Sequence, residues 1–218
     1  MKAKICGVKN FETLNFIINH KYPPKFLGFI CNYRKSKRYL NYKNLKKLLN
    51  CKKRKKIKFV SVLVNPNEII LRKIKKLNFD YLQLYDVSPK KTKVIKKKFK
   101  IKIITAITVK NLKDVLKYKN FVNISEIILF DSKGYEKSLG FNHQLLKNVT
   151  HPINKMLAGN IKYNDKLDKY EKITDIIDIS GSLETRGEKD NLKIDKFLRN
   201  IKKVNDKDKK KNSANRSA

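Results

Sequence analysis

The sequence predicts an α/β protein with a single domain, a (β/α)8 TIM barrel. Short apolar runs alternate eight times with segments of helical spacing in a chain of 218 residues. The runs are continuous rather than alternating, which is typical of strands covered on both faces of a parallel sheet. Eight such strands that close on themselves form the (β/α)8 barrel, and this chain is short for that fold.

The first half of the chain supplies four strand–helix pairs. Strands are predicted at residues 2–8, 26–30, 58–64 and 81–84, and helices around residues 11–18, 45–49, 69–77 and 92–99. The third strand is the clearest, because it is rich in β-branched residues and is followed by Asn65-Pro66. The helices are predicted from apolar residues three or four positions apart.

The second half repeats the pattern. Strands are predicted at residues 101–107, 127–130, 155–158 and 175–179, and helices around residues 112–118, 143–146, 165–170 and 194–201. Residues 1–204 therefore form the predicted barrel domain. Residues 205–218 are dominated by Lys, Asn, Asp and Ser, which predicts a basic, disordered C-terminal tail.

The formal net charge of +35 has two interpretations. Nucleic-acid binders gather their Lys and Arg on one face, among stacking aromatics. Here lysines occur in nearly every segment, and Lys, Asn, Ile, Phe and Tyr are abundant while Trp is absent, which is expected of an A/T-rich coding sequence. We therefore expect no specific nucleic-acid partner, although the field should attract small anionic molecules.

Several classes of protein are disfavoured by the composition. No apolar run approaches the ~18 residues of a membrane helix, and the N-terminus lacks the apolar stretch of a signal peptide. Three cysteines without a CxxC pair suggest neither a disulfide framework nor a zinc site, and the three histidines are scattered. The expectation is a cytoplasmic protein with no membrane association, no metal and no cofactor.

Polar or small residues that follow barrel strands are the candidates for chemistry, because active sites lie at the carboxyl ends of these strands. Cys6 ends the first strand and is either a small buried hydrophobe or a reactive thiolate. Asp131 ends the sixth and is either a cap of the loop after it or an acid facing Cys6 across the barrel mouth. Arg38 and Gln83 are two further candidates on this rim.

The ends of the seventh and eighth strands predict a phosphate site. The residues concerned are Gly159, Asn160, Ser180, Gly181 and Ser182. These barrels usually hold phosphate at this place on backbone N–H groups, and small residues permit its close approach. Each group alone is weak evidence, but their position on adjacent strands strengthens it.

An ordered set of motifs between residues 2 and 201 resembles phosphoribosylanthranilate isomerase, a family of ribulose-phosphate-binding barrels in tryptophan biosynthesis. The motifs are Lys4-Ile5-Cys6-Gly7, Ser36-Lys37-Arg38-Tyr39, Tyr81-Leu82-Gln83-Leu84, Asp131, Leu157-Ala158-Gly159, Asp178-Ile179-Ser180 through Glu184, and Gly187-Glu188-Lys189-Asp190. No single motif is decisive, but the set in this order and spacing is highly specific.

The resemblance implies an Amadori rearrangement without cofactor or metal. N-(5-phosphoribosyl)anthranilate opens its ribose ring and becomes 1-(2-carboxyphenylamino)-1-deoxyribulose 5-phosphate. By this resemblance Cys6 is the general base that takes the C2 proton, and Asp131 is the general acid that protonates the ring oxygen. Arg38 holds the anthranilate side, where a guanidinium suits a carboxylate, and Gln83 is a further substrate-binding residue.

The chain departs from the family's pattern at four places. Tyr85 replaces the usual His, Asn160 replaces a second glycine, and Ser180-Gly181-Ser182 replaces Ser-Ser-Gly. The glycine-rich loop after strand six is reduced to residues 137–140. Because the acid, the base and the arginine are present, the departures indicate drift rather than loss of activity.

Two alternatives stay open from the sequence. One is another ribulose-phosphate-binding barrel enzyme, although an epimerase or an indole-glycerol-phosphate synthase lacks the Cys6/Asp131 pair. The other is a non-catalytic basic binding protein. The expected partner is a small phosphorylated substrate, and the sequence is compatible with a monomer or a homodimer.

Overall fold

The computed structural model describes residues 1–50, 56–132 and 140–214. Its barrel strands are Lys2–Cys6 (β1), Phe26–Ile30 (β2), Lys58–Val64 (β3), Tyr81–Tyr85 (β4), Lys102–Val109 (β5), Ile127–Ser132 (β6), Asn154–Leu157 (β7) and Ile176–Ile179 (β8). Each strand pairs in parallel with the next, and β1 pairs with β8 to close the barrel. The predicted (β/α)8 fold is confirmed.

Side-chain caps start the outer helices. The first five are Phe11–Asn19 (α1), Tyr42–Leu49 (α2), Glu68–Lys75 (α3), Pro89–Phe99 (α4) and Leu112–Leu116 (α5). Each follows an Asn or Ser whose side-chain oxygen accepts a hydrogen bond from a backbone N–H in the first turn. Such caps satisfy N–H groups that have no partner within the helix.

The later connections are tighter than the helical spacing predicts. Lys117–Phe121, His143–Asn148 and Leu167–Tyr170 are 3-10 turns. Short segments favour this geometry, which rises more steeply per residue and spans a gap with fewer residues. A short chain thereby covers all eight strands.

After β8 the chain forms the 3-10 turn Gly181–Leu183 and the small hairpin Glu184–Thr185 (β9) and Glu188–Lys189 (β10), which the apolar pattern does not predict. The last helix, Asn191–Ala214 (α6), closes the fold.

The helix α6 extends past residue 204, where the sequence predicts that order ends. Val204 is buried, and the Asn205 amide group donates to the Met1 carbonyl at 3.0 Å and accepts from the Met1 ammonium at 2.6 Å. Lys207 pairs with Asp168 at 3.0 Å. The start of the predicted tail is therefore helical in this structure, and polar contacts to the chain's own N-terminus take the place of apolar docking. The division into a domain at 1–204 and a tail at 205–218 stays a prediction.

Inward and outward side chains alternate along each strand and build two layers of core. On β1, Ala3 and Ile5 pack outward against the helices, whereas Lys4 and Cys6 face the barrel interior. Most interior positions are apolar, including Val60, Ile104 and Met156. The polar interior residues therefore stand out, and they gather near the carboxyl ends of the strands.

Candidate active site

A cavity of about 380 Å³ opens at the carboxyl ends of the barrel strands. Eight of the nine residues that the sequence predicts for the site line it: Cys6, Arg38, Asp131, Gly159, Asn160, Ser180, Gly181 and Ser182. Gln83 is the exception. It is fully buried below the cavity floor, where its amide nitrogen donates to the Tyr85 hydroxyl at 3.3 Å. Its predicted substrate contact is therefore not supported by its position, because the Tyr85 side chain lies between it and the cavity.

Cys6 lies beside a buried ion pair. The Lys4 ammonium is 2.7 Å from Asp178 Oδ2, and both side chains are almost fully enclosed. Although burial disfavours its charge, Asp178 and Cys6 keep the pKa of Lys4 above its ordinary value. The absence of a side chain at Gly28 makes room for this group, since a Cβ there would lie 2.8 Å from Cys6 Sγ.

The thiol of Cys6 is only 9% exposed. Burial raises its pKa above the usual 9.0, since a thiolate loses its hydration there, while the Lys4 ammonium acts in the opposite direction. Cys6 is thus protonated at neutral pH, and Lys4 provides the positive charge that would stabilise its thiolate.

Asp131 is held from two sides. The Tyr85 hydroxyl donates to its Oδ2 at 2.8 Å, and the backbone N–H of Ser132 donates to its Oδ1 at 2.8 Å. Burial raises the pKa of Asp131 to about 6, against the Tyr85 hydrogen bond, and the Asp178 carboxylate adds to the rise. A carboxyl with this pKa exchanges its proton near neutral pH, as a general acid must. The hydrogen bond from the Ser132 N–H also fits the interpretation of Asp131 as a cap of the following loop. The rest of that loop, Lys133 and Gly134, lies outside the described residues.

Arg38 is oriented by a carboxylate. Its Nε and Nη2 donate to the two oxygens of Glu184 at 2.5 and 2.7 Å. Lys189 binds the same carboxylate at 2.7 Å and also donates to the Ser180 carbonyl at 3.0 Å. Although burial opposes it, this pair of cations keeps the pKa of Glu184 below its ordinary value. Two cations share one carboxylate, so this corner of the cavity retains a net positive charge.

Gly7 makes the position of Arg38 possible. Its φ of +77° favours glycine, and a Cβ at this position would overlap Arg38 Cδ. The glycine directly after β1 therefore makes room for the arginine side chain.

The predicted phosphate residues form one wall. Gly159 has φ +89°, and a Cβ there would lie 2.8 Å from the Ser132 nitrogen. Asn160 adopts a φ of +56°, a left-handed conformation that Asn tolerates better than most residues. The Ser182 hydroxyl accepts from the Tyr163 N–H at 2.7 Å, and the Ser180 hydroxyl donates to the Cys6 carbonyl at 3.0 Å. These two bonds tie the wall to the neighbouring loop and to β1.

Five residues of the site have no role assigned from the sequence alone. Lys4, Tyr85 and Asp178 are buried, and Glu184 and Lys189 are partly buried. A signal was available for two of them. Lys4 shares the parity of Cys6 on β1, and Asp178 interrupts an apolar strand, so both point to a buried polar pair. Of the family's reduced loop after β6, only Gly140 lies within the described residues.

Within the described parts of the chain, no group of His, Cys, Asp and Glu could hold a metal ion. Among the helices described, none is long and apolar enough to cross a membrane.

Comparisons with known proteins identify the family. Residues 3–200 match the family model of N-(5'-phosphoribosyl)anthranilate (PRA) isomerase. The chain is 31% identical to N-(5'-phosphoribosyl)anthranilate isomerase of Clostridium acetobutylicum over 220 residues, which cover 93% of this chain and 98% of that protein. It is 33% identical to the enzyme of that name from Campylobacter jejuni, with 93% and 100% covered.

Solved structures of proteins with this name share the barrel fold of this chain. The phosphoribosyl anthranilate isomerase of Thermotoga maritima superposes with a TM-score of 0.81 at 24% identity and covers 93% of this chain and 98% of its own. Another structure of the enzyme, with a TM-score of 0.79 at 24% identity and the same coverage, contains reduced 1-(o-carboxyphenylamino)-1-deoxyribulose 5-phosphate. The match over nearly the whole length, with the cysteine and the aspartate at one barrel mouth, places this chain in the N-(5'-phosphoribosyl)anthranilate isomerase family.

Proposed function

We propose that this chain performs the family's reaction with Cys6 as the general base and Asp131 as the general acid. The reaction is the Amadori rearrangement of N-(5-phosphoribosyl)anthranilate to 1-(2-carboxyphenylamino)-1-deoxyribulose 5-phosphate in tryptophan biosynthesis. The observation that carries the assignment is a thiol and a carboxyl that line one cavity, each with a neighbour suited to its charged form.

Two proton transfers account for the isomerisation. Asp131 gives its proton to the furanose ring oxygen, which leaves C1 as a hydroxyl while the nitrogen lone pair forms the C1=N bond. The Cys6 thiolate then removes the C2 proton, the C2–H electrons form the C1=C2 bond of an enolamine, and the C1=N electrons return to the nitrogen. Tautomerisation of the enolamine gives the ketone, so the reaction is balanced without a redox partner. Lys4 compensates the thiolate charge that Cys6 needs for its step.

The two charged ends of the substrate suit opposite walls. Arg38, held in a fixed plane by Glu184, is proposed to pair with the anthranilate carboxylate. Gly159, Asn160, Ser180, Gly181 and Ser182 are proposed to bind the phosphate through backbone N–H groups and hydroxyls. The substrate would thereby lie across the cavity, with its ribose between Cys6 and Asp131.

We further propose that the chain works in the cytoplasm, as a monomer or a homodimer, since every group assigned to the reaction comes from one chain. A Thermotoga maritima relative is described as dimeric. Family membership removes the alternative of a different barrel enzyme. The alternative of a basic nucleic-acid binder predicts salt-dependent retention on nucleic acid without isomerase activity.

The test combines complementation with kinetics. The wild-type gene should restore growth without tryptophan to an auxotroph that lacks this isomerase. Cys6→Ala should not, and its kcat should fall roughly 10²–10⁴-fold or more, while KM changes little. Cys31→Ala, a second free cysteine outside the cavity lining, is the matched control and should retain activity. If Cys6→Ala kept half of the wild-type kcat, the proposed base would be wrong.

A further inference from the structure

Asp131 is reached by a directed chain of hydrogen bonds from β4. The Gln83 amide nitrogen donates to the Tyr85 hydroxyl at 3.3 Å, and this hydroxyl donates to Asp131 Oδ2 at 2.8 Å. An amide NH2 group only donates, so the Tyr85 oxygen accepts there and its single hydrogen is directed at Asp131. Tyr85 is 7% exposed and Gln83 is fully buried. Both side chains are therefore shielded from solvent.

The Tyr85 hydroxyl remains a donor over the whole working pH range. Burial raises its pKa well above 10, and the neighbouring carboxylate of Asp131 adds to the rise. The second oxygen of Asp131 is held by the Ser132 N–H. Two donors from two strands thus fix the plane of the carboxyl in the cavity.

We propose that Tyr85 is a positioning residue for the general acid, a role that rests on the proposed function of Asp131. Its hydroxyl fixes the orientation of the Asp131 carboxyl toward the substrate and stabilises the carboxylate that remains after the proton has been given. Gln83, which lies outside the cavity, acts one step behind by orienting the Tyr85 hydroxyl. The hydroxyl therefore performs this function where the family's usual residue is His.

Four groups act on the ionisation of Asp131. The Tyr85 hydroxyl comes from β4, the Asp178 carboxylate from β8, the Ser132 N–H from β6 and the Lys4 ammonium from β1. Burial and the Asp178 carboxylate favour the protonated form, whereas Tyr85 and Lys4 favour the carboxylate. Removal of the Tyr85 hydroxyl should therefore raise the pKa of Asp131.

The experiment compares Tyr85→Phe with wild type in kcat and KM from pH 4.5 to 10. Because the thiol of Cys6 titrates at higher pH than the carboxyl of Asp131, the acid-side limb of the kcat/KM profile reports the pKa of Asp131. In Tyr85→Phe the midpoint of this limb should lie about one to two pH units higher than in the wild type. Because the substrate is the same in both proteins, a shift between them belongs to the enzyme. At pH 5 Asp131 is protonated in both proteins, so a loss of kcat there measures misplacement and weaker acidity. We expect about a 10- to 100-fold loss of kcat and little change in KM.

Tyr81→Phe is the matched control. Tyr81 begins the same strand at the opposite end of the barrel, where its ring packs against Phe26. Its kcat and pH limb should equal those of the wild type. Gln83→Met should shift the limb in the same direction as Tyr85→Phe but by less, and it serves as the second variant if Tyr85→Phe is unstable by thermal melting.

Each other outcome has a defined meaning. An unchanged limb with unchanged kcat would overturn the inference, as would a lower kcat with an unmoved limb, which indicates packing alone. A rise in KM alone would mean that Tyr85 contacts substrate, which also overturns it. The Asp131→Asn variant distinguishes the proposed role of Asp131 as the acid from the proposed role of Tyr85 in positioning it. An active Asp131→Asn enzyme would refute the proposed acid itself, whereas an inactive one beside a normal Tyr85→Phe enzyme would refute only the role of Tyr85.

Discussion

The proposed acid and base of this site should titrate in reversed order, with the proposed acid losing its proton at lower pH than the proposed base. The carboxyl of Asp131 has a pKa of about 6, whereas burial raises that of Cys6 above 9.0. The reaction needs the opposite arrangement, a Cys6 thiolate beside a protonated Asp131. Since the two values differ by more than about three units, fewer than about one enzyme molecule in 1,000 is in the active form near neutral pH.

This order determines the pH profile. Below pH 6 both groups are protonated, and kcat/KM rises about tenfold per pH unit as thiolate forms. Between the two pKa values the active form and the major form hold the same number of protons, so kcat/KM is level. Above the pKa of Cys6 the protonated Asp131 is depleted and kcat/KM falls. The acid limb thus reports Asp131 and the alkaline limb reports Cys6.

Alkylation of Cys6 tests the order independently of the substrate, whose phosphate also titrates at about pH 6. Only the thiolate reacts with iodoacetamide, so the rate followed by mass spectrometry of the Cys6 peptide gives the thiol's pKa directly. The rate should be half-maximal above pH 9.0 and at pH 7 should be about 1% of its plateau or less. Denatured protein, in which burial is lost, should show a lower midpoint. A midpoint near pH 6 in the folded protein would refute the reversed order.

Three further predictions concern the cavity wall formed by the proposed phosphate-binding residues, the last helix and the net charge of the protein. Gly159→Ala should lower kcat/KM and the melting temperature more than Gly187→Ala does. Both glycines have a positive φ, but of the two only Gly159 lies against backbone, because a Cβ there would be 2.8 Å from the Ser132 nitrogen. Deletion of residues 209–218 should leave the thermal melt unchanged, whereas deletion of 205–218 should lower it by several degrees, because the contacts of Asn205 with Met1 are lost. Sodium chloride should lower kcat/KM but hardly change kcat, since screening reduces the encounter rate of the anionic substrate with a +35 protein. Inorganic phosphate at matched ionic strength should inhibit more strongly, and equal inhibition by both salts would contradict the phosphate site.

The barrel was predictable because each strand can be recognised from its own residues. A strand buried on both faces must be apolar on both, as Phe26–Ile30 is, and that property needs no knowledge of distant residues. The outer helices were also predictable from local sequence, since the apolar spacing and the Asn or Ser cap lie within one segment. The 3-10 turns were not predictable, because spacing alone does not distinguish them from α-helix.

The position of Gln83 outside the cavity lining has a geometric cause. Residues 83 and 85 share the parity of β4, so both face the barrel interior, but at different heights. Sequence gives the parity of a side chain and not its height in the barrel. The cavity floor lies at Tyr85, one layer above Gln83, so the residue that matched the motif is the buried one.

The position of Arg38 depends on parts of the chain that sequence reasoning treats separately. Its carboxylate partner Glu184 is 146 residues away, at the start of a two-residue strand that no apolar pattern marks. Lys189, on the paired strand of that hairpin, joins the same carboxylate and the Ser180 carbonyl at the phosphate wall. The hairpin thereby links the proposed anthranilate and phosphate ends through one partly buried carboxylate. Loss of Glu184 would remove the two hydrogen bonds that orient Arg38 and the carboxylate that Lys189 shares with it, so we expect the two proposed binding ends to respond together rather than as independent residues.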